Sequence, residues 1–74
     1  LGRFRRDHGQ LSADRAQALD HPIRLRILEL FSRNTAMPLE VALLAAMLDA
    51  DFPEVKIRNV SYHLAILKDA QLVP

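Results

Sequence analysis

Few residues in this chain are equipped for chemistry, and their spacing narrows the options quickly. Three histidines, His8, His21 and His63, are the natural metal ligands. No two of them sit at i, i+3 or i+4, and no acid repeats beside them in a chelating pattern. The chain has no cysteine, which removes thiolate ligands, a cysteine nucleophile and a disulfide framework together. Its serines, aspartates and glutamates show no motif at a catalytic spacing, and its two glycines, Gly2 and Gly9, build no phosphate-cradling loop. These residues point away from an enzyme, with no cofactor and no metal site. What remains is a run of cationic, amide and hydroxyl side chains, Lys56, Arg58, Asn59, Ser61, Tyr62 and His63, and a second basic cluster at Arg3, Arg5 and Arg6. Such side chains reach the phosphates and base edges of double-stranded DNA.

The elements that must position them follow from composition and periodicity. Seventy-four residues, 50% hydrophobic and 26% charged, suit one small domain with a thin core. The longest uncharged apolar run, Val41 to Leu48, is far short of a bilayer span, and no hydrophobic signal segment follows Leu1. This predicts a cytoplasmic chain with no membrane partner. A start at leucine and a stop at Pro74, directly after Leu72-Val73, read as a piece of something longer. After Gly9 nothing supplies hairpin glycines, so the chain reads as all-α.

Residues 1–10 lack a sustained period and read as a mobile basic arm, with residues 11–74 as the domain. Ser12 is a plausible N-cap for a short helix from about Ala13 to Leu19. Asp20 can cap a second helix, with Pro22 at its start and Ile23, Ile27, Leu30 and Phe31 at helical spacing, running to about Ser32. His21, beside Pro22, reads as a helix-start residue that hydrogen-bonds locally. Pro38 opens a third helix with the stripe Leu39, Leu43, Ala46 and Met47, widened by Val41, Leu44 and Leu48. Asp51 and Glu54 are spaced like a capping box around Pro53, ahead of a fourth helix over about 55–70. At roughly 100° per residue, Ile57, Val60, Leu64 and Leu67 fall within about 80° of one another, while Arg58, Asn59 and Tyr62 point the other way. There is no internal repeat or low-complexity tract.

The net charge of +1 conceals an uneven distribution. Residues 1–9 and 55–68 are basic, whereas Glu40, Asp49, Asp51 and Glu54 make 38–54 acidic with no base. An apolar helix, a turn and a helix with an outward polar face match what a helix-turn-helix needs.

Two segments carry a more specific resemblance. Ala18-Leu-Asp-His-Pro-Ile-Arg-Leu-Arg-Ile-Leu-Glu-Leu-Phe31 resembles the opening helix of ArsR-like winged helix-turn-helix transcriptional regulators. Asn59-Val-Ser-Tyr-His-Leu-Ala-Ile-Leu-Lys-Asp-Ala-Gln-Leu-Val73 is similar to that family's recognition helix and exit. Together they cover 29 of the 74 residues, in the right order. The resemblance implies a winged helix-turn-helix DNA-binding domain of three to four helices, its β-wing lacking here or lying beyond Pro74. It also implies sequence-specific binding in transcriptional regulation, usually as a homodimer on pseudo-palindromic sites.

Arg58, Asn59 and Tyr62 would then lie nearest base edges, with Lys56, Ser61 and His63 mainly on phosphates. Lys68 is too far along to read bases. Metal-sensing members use cysteines near the preceding helix or acid–histidine pairs at a terminal helix; Leu43 to Met47 offers no such ligand, and no effector is named by the sequence.

Three positions depart from the family pattern. About five extra residues separate Leu48 from Val60, which predicts a longer turn or an earlier recognition helix. Gln71 replaces a glycine that a left-handed cap would favour. The acids at 49, 51 and 54 would repel DNA unless they cap the helix or turn aside. The acidic stretch 38–54 and an outward Ile66 motivate an alternative: a helical protein-interaction module derived from a winged-helix fold within a larger regulator, its interface seated on Ile66 and Leu48.

Overall fold

The computed structural model describes residues 8–34 and 39–74. Arg3, Arg5 and Arg6, and Pro38 with the helix start expected there, lie outside the described residues. Among the described residues four helices follow in order: α1 (His8–Leu19), α2 (Pro22–Arg33), α3 (Val41–Leu48) and α4 (Ile57–Asp69). There is no strand among the described residues, so these residues form an all-α helix-turn-helix architecture without a β-wing. Helices α2 and α4 each pack against the other three, whereas α1 and α3 do not meet. Ala18, Ile27, Leu30, Leu44, Leu48, Val60, Leu64 and Leu67 close the core between them.

Several helix ends differ from expectation. Helix α1 starts at His8, three residues inside the stretch read as an arm, and Ser12 lies within the helix. The side chains of Gln10 and Asp14, one turn apart, hydrogen-bond at 3.1 Å and support this extra turn. At α2 the cap is His21 rather than Asp20. Pro22 occupies the first helical position, and a residue preceding proline is held extended, so the cap falls one residue before the ring. His21 adopts φ −161° and ψ 123°, and the Ile23 N–H donates to its Nδ1 at 3.2 Å, the local bond expected of it. Asn34 ends α2 by donating from Nδ2 to the Leu30 carbonyl at 2.7 Å.

In α3 the apolar stripe is rotated from the one expected. Leu44 and Leu48 are the buried pair, while Leu43 and Ala46 face outward. Val-Ala-Leu-Leu-Ala-Ala-Met-Leu contains no polar residue that could set the helical phase, so packing against α2 and α4 chooses it.

Helix α4 ends in a left-handed cap. Gln71 takes φ 59°, its N–H donates to the Lys68 carbonyl at 2.9 Å, and the Leu72 N–H donates to the Leu67 carbonyl at 2.9 Å. This is the Schellman pattern, completed by Leu72 packing on the core. A residue with a Cβ pays roughly 1–2 kcal/mol for this backbone region. Gln71→Gly is therefore expected to raise stability by about 0.5–1 kcal/mol, part of the gain being offset by the greater chain entropy of glycine when unfolded. An unchanged urea midpoint would show that the cap carries no strain.

Candidate nucleic-acid interface

The segment from α3 to α4 presents the polar run. Residues 49–56 connect the two helices, and a long turn, not an early recognition helix, accommodates the extra residues. Asp51 and Phe52 donate their N–H groups back to the Leu48 carbonyl at 3.2 and 2.8 Å, and Val55 donates to Phe52 at 3.0 Å. Val55 is buried and Phe52 is partly buried against the core, which pins the turn. Asp51 and Glu54 do not form the expected capping box, because burying Val55 delays the helix until Ile57. Lys56 is the N-cap, and its N–H donates to Asn59 Oδ1 at 3.0 Å.

Along α4 the buried residues are Val60, His63, Leu64 and Leu67, a spacing of three and four that seats one face on the core. Lys56, Arg58, Asn59, Ser61 and Tyr62 are exposed, as the sequence predicts for the outward face. Asn59 has one lone pair of its Oδ1 committed to the helix start, and its amide nitrogen is the donor it can offer an outside partner.

Two placements are corrected. His63, expected outward on phosphates, is 6% exposed because it lies three residues after Val60 and four before Leu67, inside the apolar face. The helical spacing already held that signal. Ile57, expected in the apolar stripe, is 55% exposed; it lies in the first turn of α4, before the buried residues of that helix begin.

The His63 ring packs on His21 at the start of α2, with centroids 4.5 Å apart, and meets Tyr62 edge-on at 5.3 Å. Burial holds the His63 imidazole below the usual histidine range, and the charges of His21 and Arg24 push in the same direction. The folded state thus favours neutral His63. Its contribution to stability is fully present above the unfolded value of about 6.5 and is lost as pH falls from there toward the depressed folded value. Urea midpoints at pH 7.5 and 5.5 should differ less in His63→Gln than in the unmodified chain. Equal differences would remove His63 as the titrating group.

Several other cations serve the fold. Arg24 is buried and donates from Nε to the Ala18 carbonyl at 2.8 Å, at the end of α1. Arg15 donates from Nε to the Ala70 carbonyl at 3.1 Å, at the end of α4. Arg26 pairs with Glu29 and reaches Asp51 at 3.5 Å, while Arg33 pairs with Glu29 at 3.0 Å. The Arg26 contact draws the Asp51 carboxylate toward α2. Lys56 and Arg58 pair with no carboxylate among the described residues. No periodic signal distinguishes these two sets of cations in the sequence.

The surface proposed for a protein partner is also altered. Leu48 is fully buried and Ile66 is partly buried against the core, so neither presents the outward apolar contact expected of it. No group of three or more His, Cys, Asp or Glu side chains among the described residues could hold a metal ion. None of the described helices is long and apolar enough to cross a membrane.

A helix-turn-helix domain family matches residues 19–73, the stretch that contains α2, α3, the long turn and α4. The chain belongs to this helix-turn-helix family. The family includes ArsR-type regulators. No curated protein and no solved structure matches the chain. As a helix-turn-helix domain, the chain has the architecture of a DNA-binding module. The exposed face of α4 carries Arg58, Ser61 and Tyr62.

Proposed function

We propose that the chain is the DNA-binding part of an ArsR-like, cytoplasmic transcriptional regulator, with α4 lying in the major groove. The observation that carries this reading is the division of labour among the cations: Arg15, Arg24, Arg26 and Arg33 are engaged within the fold, while Lys56 and Arg58, at the start of α4, pair with no carboxylate among the described residues. Arg58 and Tyr62, one turn apart, face the base edges. Lys56 and Ser61 hold phosphates, and Arg3, Arg5 and Arg6 add contacts to the backbone or minor groove. The His63 imidazole supports α4 from beneath instead of touching DNA. A homodimer would place two such helices on a pseudo-palindromic site.

Salt and mutation together test the reading. Binding of the full chain to duplex DNA selected from a random library should weaken steeply as salt rises. Lys56→Ala should reduce affinity for all sequences about equally and lower the salt slope by about one. Arg58→Ala should cost about 1–3 kcal/mol on the selected site and relax preference at one base position. If Arg58→Ala weakens selected and random DNA by the same factor, α4 is not the reading helix.

A further inference from the structure

Among the described residues, the two most exposed large hydrophobic side chains are Tyr62, at 63%, and Ile57, at 55%, and both lie on α4. Tyr62 has a hydroxyl to offer solvent or a base edge. Ile57 has only carbon. It sits at the first helical position, next to Lys56 and Arg58 and one turn before Ser61. A β-branched residue there adds little to helix propensity, and its exposure shows that it adds little to the core.

We infer that Ile57 is a specificity-determining residue that packs against the C5-methyl group of a thymine in the major groove. This deepens the proposed DNA-binding reading and rests on it. Three features converge on that occupant. The N-terminal residues of a recognition helix are those that meet base edges. The cations at 56 and 58 bracket Ile57 and complement a phosphate-lined groove, a setting unfavourable to a basic or neutral apolar protein surface. The thymine methyl is the apolar group that the major groove displays, and hydrophobic side chains recognise it by contact. Discrimination then comes from burying one methyl against Ile57, without a hydrogen bond.

Deoxyuridine, which is thymine without that methyl, provides the test. The full chain is used to select duplex DNA from a random library, and each thymine of the selected site is then replaced singly by deoxyuridine. At one position the replacement should weaken binding by the unmodified chain roughly three- to fivefold, the worth of one buried methyl. Ile57→Ala should bind the thymine and deoxyuridine forms equally at that position, Ile57→Val should restore part of the difference, and Arg58→Ala should keep the ratio while losing affinity. Thermal melting of Ile57→Ala should match the unmodified chain, since the side chain is largely outside the core. A selected site with no methyl-sensitive thymine, or an unchanged ratio in Ile57→Ala, overturns the inference while leaving α4 as the reading helix. Failure to select any sequence overturns the DNA-reading proposal itself, and the inference falls with it.

Discussion

Truncating Leu67 to alanine is expected to cost about 2–5 kcal/mol, the range for deleting a fully buried leucine and leaving a cavity. Leu67 is 0% exposed, and its carbonyl also accepts the Leu72 N–H that closes the cap of α4. A domain of this length has roughly 4–11 kcal/mol of total stability at ~0.05–0.15 kcal/mol per residue, so the loss approaches the whole in the lower part of that range. Leu64→Ala is expected nearer the lower end. Leu64 borders an open crevice with Phe31, Leu39, Val41 and Lys68, into which neighbouring side chains can relax. Urea melts of the two variants check both the size and the order. A loss below half a kilocalorie for Leu67→Ala would show that α4 does not seat on the core through this face.

Arg24→Ala is expected to cost roughly 2–3 kcal/mol, more than a surface arginine would. The guanidinium is buried and donates to the Ala18 carbonyl, one of the four that the end of α1 leaves without an intrahelical donor. Removing it loses a hydrogen bond from a charged donor and leaves a buried acceptor unsatisfied. Arg24→Lys should recover little, because a flexible ammonium does not reproduce the directed Nε–H. The measurement is again the urea midpoint, with Arg58→Ala as the exposed control. Equal, small losses for Arg24 and Arg58 would mean that the Arg24 bond contributes nothing to the docking of α1.

That contrast between two arginines shows where sequence reading stops. Both stand in helices, and both belong to segments that resemble or adjoin the motifs of DNA-binding regulators. Arg24 is drawn inward by a carbonyl six residues earlier, whereas the Arg58 side chain meets no partner among the described residues. A hydrogen bond between the end of one helix and the side chain of the next depends on their crossing, which linear spacing does not encode. His63 was legible in principle, since its three- and four-residue spacing to Val60 and Leu67 assigns it to the buried face. Its polar type pointed outward, and the His21 ring that receives it lies on another helix.

The amino-acid sequence by itself determined the all-α class, the order of the four helices, and the outward face of Arg58, Asn59, Ser61 and Tyr62. Each of these follows from local physics: helical periodicity, the fixed φ of Pro22 and the shortage of glycine. Only the tertiary structure decided the phase of α3, the start of α4 at Ile57, the burial of His63 and Arg24, and the exposure of Ile57. Those outcomes depend on which surfaces meet. An eight-residue apolar helix has no polar side to orient it until α2 and α4 are in place, and a long turn cannot choose its last residue until Val55 finds the core.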